Sequence, residues 1–76
     1  MTTAEKFNKI YSNGWFQIYN TPRHIGGGEW DERILWKHVG MPNQETIREC
    51  EWEGFRDIDD CLDDCLKYVD TLLKKE

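Results

Sequence analysis

The sequence predicts an α+β fold: a short helix, a three-stranded antiparallel sheet, and a long C-terminal helix packed across it, in the order α-β-β-β-α. Three observations predict it. Residues 57–74 repeat apolar side chains every third or fourth position, the period of a helix. Residues 45–55 alternate instead, with Glu49, Glu51 and Glu53 set against Cys50 and Trp52, the period of a strand. Four Trp, three Tyr and three Phe supply a small core with bulk, since each buried ring removes on the order of 150–250 Å² from water.

The elements follow in chain order. Thr2-Thr3 caps a first helix running to about Ser12, with Phe7, Ile10 and Tyr11 on one face. Ser12-Asn13-Gly14 ends it, because Asn and Gly accept the left-handed conformation at helix ends. "WFQIYN" is aromatic and β-branched and reads as the first strand. A loop is expected from Thr21 to about Glu29, then a second strand over "WDERILWKHV", stopped by Gly40 and Pro42. "ETIRECEWEGF" reads as the third strand. Phe16, Ile18, Ile34, Trp36, Cys50 and Trp52 are then the sheet's share of the core, and Trp15, Tyr19 and Leu35 face the other way.

The second helix is expected to begin at Asp57 or Asp59 and to reach about Lys74. Ile58, Leu62, Cys65, Val69, Leu72 and Leu73 form its apolar stripe, with Cys61 off it. Asp59, Asp60, Asp63, Asp64, Lys67 and Asp70 fall opposite. The aspartates suit the positive end of the helix dipole, and Lys74-Lys75 the negative end.

Length and charge narrow the function classes. Seventy-six residues make one domain, 1–76, with a small core. No apolar run approaches the roughly 20 residues that cross a bilayer, and the first residues lack a signal-peptide pattern. Three cysteines are an odd number and no secreted disulfide framework. A soluble cytoplasmic protein that does not engage membranes is expected. Net charge is −5, split unevenly: residues 1–44 carry five Lys/Arg against four Asp/Glu, residues 45–76 five against eleven. Nucleic-acid binding depends on cations that neutralise phosphates, so direct binding to nucleic acid is not expected.

In element order and length the chain resembles the double-stranded-RNA-binding domain. "TPRH", residues 21–24, loosely matches that family's Gly-Pro-x-His loop between the first two strands. The resemblance implies both helices on one side of the sheet. Where that family opens its last helix with a phosphate-gripping lysine cluster, this chain has "DIDDCLDDC", so the resemblance implies topology and not the RNA surface.

The acidic run is the strongest functional signal. Eight carboxylates and one base lie between Glu49 and Asp64. Like charges one helical turn apart destabilise a helix by about 0.2–0.5 kcal/mol per pair. Glu49, Glu51, Glu53, Asp57, Asp60, Asp63 and Asp64, with Trp15 and Tyr19 as an aromatic patch, are the candidate contacts to a protein partner bearing a Lys/Arg-rich surface. In size, charge and lack of catalytic motif the chain is similar to the small acidic inhibitors that bacteriophages direct against host defence nucleases, CRISPR complexes among them. An anti-CRISPR-like inhibitor or nucleic-acid mimic is the expected function.

The alternative is a small-ligand or nucleotide binder built on "RHIGGGEW", with Arg23 and His24 on an anion, Gly26, Gly27 and Gly28 as the loop, and Trp30 stacking on a base. Against it, phosphate loops aim backbone N–H groups from a helix N-terminus, and here the glycines lead into a strand. A flexible hairpin tip is the simpler expectation. Cys50, Cys61 and Cys65 with His24 and His38 provide ligand types for zinc but not its knuckle spacing, and Cys also packs as a small hydrophobe. No metal, cofactor or catalytic residue is expected, and the oligomeric state is open.

Overall fold

A computed structural model describes residues 1–74, and the backbone alone of Ile25. The order is α1 (Thr3–Tyr11), β1 (Trp15–Gly26), β2 (Glu29–Gly40), β3 (Glu45–Glu49) and α2 (Ile58–Lys74). The strands form one antiparallel sheet in the order β1-β2-β3, leaving β1 and β3 as its edges. The predicted α+β class and order hold.

α1 starts on a reciprocal cap. The Thr2 hydroxyl accepts from the Glu5 amide at 3.2 Å, and the Glu5 carboxylate accepts from the Thr2 amide at 3.0 Å. It stops at Ser12; the Asn13 side-chain amide donates to the Lys9 carbonyl at 2.6 Å, so Asn13 acts through its side chain and not through a left-handed backbone. At the head of α2 the Asp57 carboxylate accepts from the Asp59 amide at 3.0 Å, which makes Asp57 the N-cap. Lys75 lies outside the described residues.

β1 and β2 are longer than their aromatic cores. They run in register to His24 opposite Trp30, shift once at residue 25, and close through Gly27 and Gly28. Those two glycines have φ of 59° and 76°. Two consecutive positive φ values match the tight hairpin turn whose twist suits paired strands. The predicted loop over 21–29 is therefore mostly strand, and "TPRH" lies within β1, not in a loop as the likeness to the RNA-binding domain requires. Pro22 interrupts neither the pairing nor the strand, because proline is tolerated on a sheet edge.

β3 is shorter than predicted. It ends at Glu49, after which the Cys50 amide still donates to the Trp36 carbonyl at 3.2 Å. Phe55 then returns to β2, exchanging hydrogen bonds with Ile34 at 2.7 and 2.9 Å. Residues 51–54 thus bulge out between the Cys50–Trp36 and Phe55–Ile34 hydrogen bonds, with Gly54 against Leu35. They leave the ladder in a turn closed by the Gly54 amide on the Glu51 carbonyl at 3.0 Å. The Glu/Cys/Trp alternation consequently does not describe two faces of a strand: Trp52 is 57% exposed at the turn and is not in the core.

α2 packs on the face of Phe16, Trp36 and Cys50. Its Cys61, Leu62, Cys65 and Val69 are fully buried there, and Leu66 nearly so. Cys61 is as deep as Cys65, whereas Leu73, placed in the stripe from sequence, is exposed. Ile10 of α1 joins the same core. α1 lies along α2 and the start of β1 and does not approach β2. The opposite face, with Leu35 at its centre, is instead covered by the 51–54 turn. A Cβ on Gly54 would stand 2.9 Å from Leu35 Cγ and 2.9 Å from the Ile34 carbonyl oxygen.

Two glycine substitutions separate these roles. Gly27→Ala meets no atom within 4 Å of its Cβ, so its cost is that of the left-handed backbone, about 1–2 kcal/mol. Gly54→Ala, at φ 66°, adds overpacking of about 1–3 kcal/mol on top. Urea unfolding should rank Gly54→Ala well below Gly27→Ala in stability; equal losses would show that the turn does not press on Leu35.

Candidate functional site

The carboxylates of the acidic run divide into two sets according to what α1 does to them. Lys6 reaches Asp63 at 2.9 Å and Asp59 at 3.4 Å, and Lys9 reaches Asp70 at 3.5 Å. Thr3 also donates to Asp59 at 2.8 Å. That hydrogen bond, with Lys6 beside it, holds the Asp59 carboxyl below its ordinary range. The hydrogen bond from Lys6 to Asp63, with the charges of Asp59 and Asp63, raises the Lys6 ammonium. This side of α2 is neutralised by its neighbour.

The other side is not. Glu49, Glu51, Glu53 and Asp60 are exposed, and among the described residues no Lys or Arg pairs with them or with Asp64. Between β3 and α2 runs an open groove of about 430 Å³. Trp36, Cys50 and Tyr68 line it, with Arg48, Glu49 and Glu51 on the β3 side and Asp64, Lys67 and Thr71 on the α2 side. Asp64 accepts from the Trp36 indole Nε1 at 3.0 Å, which fixes its position in the groove. Asp64 is thus half-buried at the flank of α2 rather than opposite the apolar stripe. α2 leans on β2 and leaves β3 uncovered, which is why the groove exists.

Of the predicted contact residues, Glu49, Glu51 and Asp64 meet at this groove, while Asp60 and Glu53 lie free elsewhere on the surface. Asp57 caps α2 and Asp63 is held by Lys6. Trp15 and Tyr19 project from the opposite sheet face, Trp15 63% exposed and Tyr19 beneath the Lys37 ammonium, 5.7 Å from the ring centre.

The residues of the alternative ligand site separate as well. Arg23 and His24 are consecutive on β1 and leave it on opposite faces. His24 packs edge-on against Trp30, ring centres 5.2 Å apart, beside the glycine turn. Arg23 stacks on Trp52, 5.0 Å from its ring centre, and its Nε donates to the Trp52 carbonyl at 2.9 Å. Sequence reasoning did not pair Arg23 with Trp52, nor with Arg33 and Arg56, which share the Asp31 carboxylate at 2.9 and 3.1 Å.

Burial pushes the thiols of Cys61 and Cys65 up to about 12, and that of Cys50 upward too. They are protonated at neutral pH and so poor nucleophiles and ligands. Among the described residues no group of three or more His, Cys, Asp or Glu is arranged to hold a metal ion. His38 is stacked on Phe16, ring centres 4.5 Å apart, with its Nδ1 2.8 Å from the Tyr68 hydroxyl. Burial lowers its pKa.

Two measurements follow. Cys61→Ser and Cys65→Ser should destabilise comparably, by about 1–3 kcal/mol each if the hydroxyl finds no partner, and native protein should react with thiol reagents only on unfolding. For His38 the unfolded chain binds the proton more readily than the folded one. Stability therefore falls as pH drops through the ordinary histidine value of about 6.5. Denaturation midpoints between neutral and mildly acidic pH should flatten in His38→Gln; an unchanged slope would place the acid sensitivity elsewhere.

Comparison of the chain with protein-family models, with curated proteins and with solved structures returns no match.

Proposed function

We propose that the protein is a non-enzymatic interaction module that binds a Lys/Arg-rich surface of a nucleic-acid-handling protein, acting there as an inhibitor that occupies the place of nucleic acid. One observation carries the reading: the unpaired carboxylates Glu49, Glu51 and Asp64 line one open groove, with Asp64 fixed by the Trp36 indole. A cationic side chain entering it meets one carboxylate, that of Asp64, already held in place. Such a contact loses less ordering entropy than one between two mobile side chains.

The split of the acidic residues supports the same reading. The carboxylates facing α1 serve the fold, whereas among the described residues those lining the groove form no ion pair. Lys67 and Arg48 at the groove walls set a pattern of signs, which gives selectivity among basic partners.

An arginine-rich peptide is the direct probe. Its titration should shift the Trp36 indole resonance and those of Asp64 and Tyr68. Glu49→Gln with Glu51→Gln should weaken binding about tenfold and flatten its salt dependence, since exposed pairs are screened over about 8 Å at physiological salt. Asp63→Asn, removing a carboxylate already paired, should cost much less. Equal losses in both variants, or resonances that move only outside the groove, would overturn the reading. With a host lysate, the wild type should retain a nucleic-acid-handling protein that the Glu49/Glu51 variant releases.

A further inference from the structure

The face of the sheet away from α2 carries the opposite charge. The Arg23 Nε donates to the Trp52 carbonyl at 2.9 Å and the Arg33 Nη1 to the Glu53 carbonyl at 3.3 Å. Two guanidiniums therefore hang from neighbouring carbonyls of one turn. Arg33 and Arg56 meet again at Asp31, both Nε atoms reaching the same carboxylate oxygen. Two guanidiniums thus share one carboxylate, and the third, that of Arg23, is held at the neighbouring turn by Trp52. Arg33 is held in place, its side chain 14% exposed, while that of Arg56 is 73% exposed. Among the described residues no acceptor takes the terminal nitrogens of Arg23 or Arg56.

An aromatic platform lies beside this row. Trp52 takes the Arg23 guanidinium on its ring and leaves more than half its surface to solvent. Farther along the same face Lys37 lies over Tyr19, four residues along β2 from Arg33, or roughly 13–14 Å. Net charge of −5 does not describe this surface, where Arg23, Arg33 and Arg56 meet Asp31 as the one carboxylate paired with them.

We propose that Arg23, Arg33 and Arg56, with the exposed ring of Trp52, form a binding site for the phosphate of a nucleotide, free or within a single strand. Guanidinium forks match phosphate oxygens in pairs of charge-assisted hydrogen bonds. An exposed indole offers the attached base a stacking surface. Two arginines share a single counter-charge and a third rests on an exposed indole, so the three guanidiniums carry more positive charge than Asp31 offsets. The site is distinct from the glycine turn and from the acidic groove, so it stands or falls independently of the inhibitor reading.

Titrations of the intact protein with a nucleoside monophosphate, a short oligothymidylate, inorganic phosphate and a glutamate peptide, read by Trp fluorescence and calorimetry at low salt, test it. The nucleotide or the strand should bind, and Arg23→Gln combined with Arg56→Gln should weaken that binding at least about tenfold while the thermal midpoint shows the variant folded. Trp52→Leu should weaken the nucleotide and spare inorganic phosphate. A strand that binds far more tightly than the free nucleotide, with a salt slope that shrinks in the arginine variant, identifies the strand as the source; equal affinities identify the free nucleotide. No binding, binding indifferent to the arginine variant, or equal affinity for inorganic phosphate or the glutamate peptide would overturn the proposal.

Discussion

Two hydrogen bonds between Ile34 and Phe55 set the second half of the molecule. They bring the chain back to β2 after it has left the ladder, and both neighbouring features depend on them. Upstream, residues 51–54 are pinned as a turn over Leu35. Downstream, Arg56 and the Asp57 cap follow directly, so the point of return also fixes where α2 begins and how its buried stripe meets Trp36. A sheet of three strands has two faces and this chain has one helix layer. The turn is what covers Leu35 on the second face without a third helix, while Trp15 on that face stays exposed.

The same turn separates charge. Its carbonyls at Trp52 and Glu53 collect Arg23 and Arg33 on the outer face. Glu51, at its start, lines the groove between β3 and α2, and on the α1 flank of α2 Lys6 and Lys9 pair with Asp59, Asp63 and Asp70. A groove lined by Glu49, Glu51 and Asp64 with Arg48 and Lys67 thus lies on one side, and the Arg23–Trp52 stack on the other. Neither is visible in the net charge. Exposed pairs such as Lys9–Asp70 add little to stability.

The class of fold was legible because it rests on local periods: the apolar repeat of α2 and the aromatic and β-branched runs of β1 and β2 are each contained in a single segment. The end of β3 was not. Glu51, Trp52 and Glu53 continue the alternation of a strand in composition while Gly54 and Phe55 break it in space, and the force that decides is the tertiary pairing to Ile34. The Gly27-Gly28 pair is a hairpin signal. Read as a two-residue turn it would have extended both strands but set Arg23 opposite Glu32; the shift at residue 25, which no residue type announces, brings Arg23 opposite Asp31 instead. The glycines read instead as a flexible tip, and Pro22 read as loop. The arginine row is hidden for a different reason: its members come from three segments that meet only through strand register and the 51–54 turn. On the acidic side composition identified the right residue types. It carried no information on which carboxylates α1 would claim.

The two sheet edges differ in a way that bears on how the protein behaves when crowded. β3 is only five residues long and carries Glu45, Arg48 and Glu49, which makes it a poor template for another chain. β1 is twelve residues long and aromatic, the kind of edge that recruits strands and seeds aggregates. Pro22 stands within it, supplying no amide to a would-be neighbour. An incoming strand can zip onto β1 only from Trp15 to Thr21 before its ladder is broken. Proline at this place denies an incoming strand an amide that an unbroken edge would offer.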